Sequence, residues 1–238
     1  MSRRALTLFE EMQNAYRQTA EETARTIAET ELDLIPSQME TLLEVQHAFA
    51  EAYYREEQLV SLLATDVAGL LHHLTDLHFD IMSGRYESAG RSLRFLWERV
   101  FRSHLADMDH AGHTLDEKVD WLEERKTTRR DCIALRIPDL FPTDAPNERT
   151  AHFKTIWDRL NQVVHPSGPW RYSTVGESGR FAWPHFDADL CRQLLADVNE
   201  VLALVWLLVL FQFPKVREKF TDPARVFNSF AALKSLLA

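Results

Sequence analysis

Between Pro36 and Pro138 the chain contains no proline, and glycine interrupts that span only at positions 69, 84, 90 and 112. Proline removes an amide donor and clashes with the preceding helical turn, so so long a span without one favours long helices. Apolar spacing agrees. Leu6, Phe9, Tyr16, Ala20, Ala24 and Ile27 fall on one stripe and predict a first helix from about Leu6 to Glu31. Pro36 marks a break, and Ser37-Gln38-Met39-Glu40 has the form of a capping box, in which serine accepts a free first-turn amide and glutamate reaches back to the cap. A single long helix is expected from there to Gly84, because Met39, Leu42, Phe49, Tyr53, Val60, Leu63, Val67, Leu70, Leu74, Leu77 and Ile81 keep near-helical spacing.

After Gly84 a shorter helix is predicted to bury Leu93, Leu96, Trp97, Val100, Phe101 and Leu105, with its arginines on the other faces. A turn at His110-Ala111-Gly112-His113 ends it, and Thr114-Leu115-Asp116-Glu117 is a second capping box before a helix carrying Val119, Trp121 and Leu122. Pro138, Pro142 and Pro146 restrict 131–146 to short pieces, whereas Asn147 to Val164 is expected to be helical with Phe153, Ile156, Trp157, Leu160 and Val164 inward. The stretch from Pro166 to about Phe186 holds three of the seven glycines and three of the nine prolines and is read as a loop or small hairpin. A strongly apolar helix from about Asp187 to Phe213, ended by Pro214, and a last helix from Thr221-Asp222-Pro223 complete the pattern. The expectation is an all-α helical bundle with long N-terminal helices: an extension over 1–84 and a helical domain over 85–238, forming one continuous domain.

With 238 residues, 45% of them hydrophobic and 26% charged, the composition is that of a globular chain with a substantial core. Cys132 and Cys191 are far apart and lack metal-ligand spacing, which points to a reducing cytoplasm. No secretory signal is read behind Arg3 and Arg4. The longest apolar run, Val201 to Phe211, is short of the roughly 20 residues a membrane span needs, so no membrane association is expected. The net charge of −9 is uneven. Residues 1–60 are acidic, whereas Arg91, Arg94, Arg99 and Arg102 against Glu98 make a local basic segment, and Arg125, Lys126, Arg129 and Arg130 make another. Gathered cations can bind phosphate on an acidic protein, and solvated helix faces can also look like this.

The candidate chemistry lies in Arg159-Leu160-Asn161-Gln162-Val163-Val164-His165, which runs into Pro166-Ser167-Gly168-Pro169. A guanidinium can stabilise charge on a phosphate, and an imidazole can move a proton near neutral pH. Asn161 and His165 are four apart and share a helix face. Arg159 and His165 are six apart and point about 120° away from each other on a continuous helix. They converge only if the helix bends or ends, which Pro166 favours by disfavouring helical geometry at His165, or if a second chain supplies one of them. In the plainer alternative, Arg159 is a solvated helix residue and His165 a hydrogen-bonded cap over Trp157 or Trp170.

The order of Ala89-Gly90-Arg91-Ser92-Leu93-Arg94-Phe95-Leu96-Trp97-Glu98, then Leu115 to Val119 with Trp121-Leu122, then Arg159 to His165, resembles the HEPN superfamily over about residues 85 to 210. That resemblance implies a helical bundle with a late R-x(4 to 6)-H motif and metal-independent endoribonuclease activity at a site built by a homodimer, without cofactor or metal. His165 would then be the acid/base, Arg159 the phosphate clamp and Asn161 an orienting residue, with Arg91, Arg94, Arg102, Trp170 and Arg171 near RNA. By the same analogy the protein would serve as a toxin or in phage defence, with an antitoxin or defence protein as partner. Leu160 departs from the pattern, since many active relatives carry a small polar residue after the arginine. The alternative is a non-catalytic all-helical interaction or scaffold module.

Other patterns are weaker. His72, His73, Asp76, His78 and Asp80 are crowded and include i,i+4 pairs able to share a metal, with exposed histidines as the alternative. Glu44-Val45-Gln46-His47 has the Glu-x-x-His form of di-iron bundles but lacks the second copy such a centre needs. Walker-type and dinucleotide-binding glycine loops and a serine nucleophile elbow are absent from the sequence.

Overall fold

A computed structural model describes residues 3–29, 34–53, 60–124, 155, 157–161 and 186–219. The helices are α1 (Arg3–Glu29), α2 (Leu34–Tyr53), α3 (Leu62–Met82), α4 (Tyr86–Asp109), α5 (Leu115–Glu124), α6 (Ala188–Gln212) and α7 (Pro214–Lys219), with a further helical stretch at 157–161. No strand occurs among the described residues, and the protein is an all-α helical bundle. The predicted loop or hairpin at 166–186 lies outside them except for Phe186, as does the last predicted helix.

The long helix expected from Ser37 to Gly84 is instead two helices, α2 and α3, and the second has its own cap. Ser61 is extended and accepts from the amide of Ala64 at 3.0 Å, the normal use of a serine at a helix start. Apolar periodicity runs across this break because both helices feed the same core, which is why spacing alone hid it. At the other capping box, α2 begins at Leu34, three residues ahead of Ser37. Proline is tolerated in a first turn, where amides lack intrahelical partners, so Pro36 does not end the chain's turn into helix. The second box is formed as predicted: the Thr114 amide donates to Glu117 Oε2 at 2.8 Å, and the Glu117 amide donates to Thr114 Oγ1 at 3.3 Å.

α3 and α4 pack along the most extensive seam in the bundle. They are joined by Ser83-Gly84-Arg85, where Gly84 takes φ of 67°, a conformation costly for residues bearing a Cβ. Asp80 closes the turn by pairing with Arg85 at 3.0 Å and accepting from Ser88 Oγ at 2.6 Å. One hydrophobic core draws on α2, α3, α4, α6 and the 157–161 stretch. α6 is its spine: Leu194, Leu195, Val198, Val201, Leu202, Val205, Trp206 and Val209 are all fully buried. A helix apolar around its circumference belongs inside a protein or a membrane. Ala188–Leu210 is long and apolar enough to cross a membrane by length and composition, beyond what the short apolar run suggested, yet three quarters of its most apolar window is buried within the bundle. Asp187 caps α6, accepting from the amides of Asp189 and Leu190 at 3.0 and 2.9 Å, and Phe213 follows it just before Pro214.

Two predicted stripes need correcting. In α1, Leu6, Phe9 and Ala24 are exposed, whereas Thr19, Thr23 and Thr26 are buried. The C-terminal part of α1 packs on α3 and α6 through a threonine-rich face that hydropathy undervalues. In α5 Val119 is exposed and Trp121 and Leu122 are half-buried, while the one side chain fully withdrawn from solvent is Lys118.

Candidate functional site

The 157–161 stretch presents three faces. Trp157 and Leu160 enter the core. Arg159, two residues beyond Trp157 and so about 160° round the helix, points instead to α6. Its Nε lies 2.6 Å from Asp197 Oδ1, an ion pair off the ideal N–H direction, and its terminal nitrogen bonds Glu200 Oε2. Asp197 and Glu200 are three apart and therefore share a face of α6. Asp197 is buried, and Arg159 retains about a fifth of its exposure, 19%. Both carboxylates lie within ion-pair reach of the one guanidinium, so acids on α6 engage its charge.

Asn161 turns the opposite way, toward α4. Arg94 Nε donates to Asn161 Oδ1 at 3.0 Å, and Arg94 Nη1 donates to Glu98 Oε2 at 2.9 Å. The Arg94 guanidinium lies 3.7 Å from the centroid of the Trp157 ring, a cation–π contact in a desolvated setting. Arg94 is buried, contrary to its expected place on an outer face of α4. Burial lowers its pKa, and the Glu98 carboxylate pulls it back up. The seam explains the departure: an arginine with a planar face for Trp157 and donors for Asn161 and Glu98 has the partners that burial requires.

The remaining expected RNA-contacting cations are dispersed. Arg91 is exposed and paired with Glu87 one turn away, and Arg102 donates to the Leu122 carbonyl at 2.9 Å, tying α4 to α5. His165, Trp170 and Arg171 lie outside the described residues, so the structure assembles Arg159 and Asn161 with α6 and α4 respectively. Asp197, Glu200 and Glu98 were not singled out from sequence. The available signal was the i,i+3 acid pair in the middle of α6.

A second buried polar cluster also went unread. The Asp107 carboxylate accepts from Ser61 Oγ at 2.6 Å, the amides of Leu62 and Leu63 at 3.0 Å each, Lys118 Nζ at 2.9 Å and Gln212 Nε2 at 2.8 Å. Lys118, 1% exposed, also donates to the Val60 carbonyl at 2.7 Å. Because Gln212 turns its amide nitrogen to the carboxylate, its oxygen faces His104 Nδ1 at 2.6 Å, which places the His104 proton on Nδ1. Burial acts to raise the Asp107 pKa, but the hydrogen bonds from Ser61, Lys118 and the two amides outweigh it and hold the carboxyl below its usual range. The cluster joins the N-terminus of α3 to α4, α5 and the end of α6. An anion there also complements the α3 dipole.

Among the described residues no group of three His, Cys, Asp or Glu side chains is placed to hold a metal. His72 and Asp76 are exposed on α3, and His47 pairs with exposed Glu51 at 3.1 Å. Cys191 is a free, buried thiol whose pKa burial pushes up to about 11. No family model matches the chain, and neither curated proteins nor solved structures provide a match.

Proposed function

We propose that this protein is an all-helical interaction module in which Arg159 and Asn161 hold the bundle together instead of processing RNA. The observation that carries this reading is the engagement of Arg159 by Asp197 and Glu200. A phosphate clamp needs a cation with unspent charge and donors facing an open cleft. The Arg159 charge is engaged by Asp197 and Glu200, and Arg94 is spent on Trp157, Asn161 and Glu98. The buried free thiol of Cys191 fits a reducing, cytoplasmic setting.

A HEPN-like endoribonuclease, of toxin or defence type, is the second reading. Its support is that Arg159 remains partly exposed and that Asn161 and His165 stand four apart in the sequence. In that case the guanidinium leaves Glu200 to meet substrate, and His165 exchanges the proton.

The two readings part in one assay. A pool of structured and single-stranded RNA is incubated in EDTA with the wild type and with His165→Ala of matched helicity. The interaction module leaves the pool intact in both. Cutting by the wild type that disappears in His165→Ala would overturn it in favour of the nuclease.

A further inference from the structure

Lys118 sits in a socket that the rest of the bundle builds without it. Its ammonium donates to Asp107 Oδ1 at 2.9 Å and to the Val60 carbonyl at 2.7 Å. The Asp107 carboxylate is fixed by four further donors, Ser61 Oγ, the amides of Leu62 and Leu63 and Gln212 Nε2, all from outside α5. Without α5 the carboxylate therefore keeps its place and four hydrogen bonds, and lacks a cation.

α5 adds nothing to the apolar core: among the described residues none of its apolar side chains belongs to that core or packs against it. Besides Lys118, the Arg102 bond to the Leu122 carbonyl and a ring contact of Trp121 with His110, 4.7 Å between centroids, tie it to α4 and its end. Its capping box is made by Thr114 and Glu117 and moves with it. At its entry Ala111, Gly112 and His113 are exposed, and a Cβ on Gly112 would meet nothing within 4 Å, so a hinge there breaks no core contact. We infer that α5 is a strap that opens about residues 110–113 independently of the bundle, and that the socket of its lysine takes a primary alkylammonium. Three N–H donors on an unbranched apolar stem are what Lys118 itself presents there. A quaternary ammonium lacks the donors and would leave the Val60 carbonyl unmet. The socket lies on another seam from Arg159 and stands whichever way the RNA assay falls.

Native-state hydrogen exchange of the full chain at low denaturant tests the strap in the wild type itself. An isolated helix of 10 residues is marginal in water, so undocking exposes its amides. The amides from Lys118 to Glu124 are expected to share one opening, with a smaller free energy and a smaller denaturant dependence than those of α3, α4 and α6. Exchange of α5 only through global unfolding overturns the strap, as do graded, denaturant-independent values, which mark fraying. Val205→Ala in the core should speed exchange in α6 and leave α5 unchanged, because it weakens the closed and open forms alike; acceleration of both overturns the strap. Lys118→Ala should speed α5 exchange at least about tenfold, and no acceleration overturns the latch. Propylammonium chloride supplies the carbons and nitrogen which that substitution removes. At millimolar concentration it should slow α5 exchange again in Lys118→Ala, where α5 covers its stem, but not in the wild type, whose socket is filled. Tetramethylammonium chloride should do neither. No slowing by propylammonium, or equal slowing by both salts, overturns the socket.

Discussion

Asp107 and Arg159 are both charged groups drawn largely out of water at helix seams, but their surroundings differ in kind. Asp107 is an anion met by five donors from α3, α4's neighbours and the end of α6, with a single buried cation, Lys118, to balance it. Arg159 is a cation met by two acids on one face of α6 and partly open to solvent. The first cluster is closed: adding a ligand would mean removing a bond from a group that has no access to water. The second keeps its cation partly exposed to solvent. The two arrangements differ in their access to water, and the cost of disturbing each should differ accordingly.

The closed cluster should be the more expensive to break. Asp107→Ala strands Lys118 without its counter-ion and uncaps α3, which predicts a loss of about 3–5 kcal/mol, read from urea unfolding followed by circular dichroism. Pairing Asp107→Leu with Lys118→Met should recover much of that loss, since a buried ion pair is often replaceable by apolar side chains of similar volume. If Asp107→Ala costs no more than Arg159→Ala, the contrast between the two seams is wrong.

pH gives the same contrast a sign. The Asp107 pKa is depressed in the folded protein, so its stabilising effect is fully present above the unfolded value of about 3.9 and is lost as pH falls through the folded value. The stability gap between the wild type and Asp107→Asn should therefore be constant at pH 5 to 7 and close below about 4. A gap that widens in acid would reverse the assigned direction.

Arg159→Ala comes next, at about 2–3 kcal/mol. It removes the shared cation and leaves buried Asp197 beside Glu200. Asp197→Asn introduced with it should restore part of the stability by removing that repulsion. The comparison sharpens further if RNA is added: in a bundle held together by Arg159 the variant loses stability alone, whereas in a nuclease it also abolishes cutting.

Much of this fold was legible in the sequence, because helix periodicity, proline placement and the Thr114 box are local signals that the finished bundle obeys. The break at Val60 and Ser61 was not, since α2 and α3 feed a single core and keep one apolar rhythm across it. Arg94 was expected on an outer face and Lys118 was given no place in the core, for a shared reason. Both are polar and buried, and what makes burial tolerable is a partner on another element: Trp157 and Asn161 for Arg94, Asp107 for Lys118. Local patterning carries no information about such partners. The same limit applied to the candidate site, where spacing related Arg159 to Asn161 and His165 but gave no hint that Asp197 and Glu200 would claim the arginine.

Smaller effects mark the edges of the contrast. Thr114→Ala removes the cap of the helix that delivers Lys118 to Asp107, and a drop in Tm of about 2–4 °C is expected. Smallest of all is Arg91→Ala. Its partner Glu87 is one turn away on the same helix, and the Arg91 side chain is 58% exposed, so solvent screens the pair and its two long side chains give up rotamer freedom to form it. The change should stay within about 0.5 kcal/mol of zero. Arg91 and Arg94 are three residues apart and look equivalent in sequence, so a large loss at Arg91 would mean that α4 buries its outer face against something else, and the division of its arginines into spent and solvated would fail.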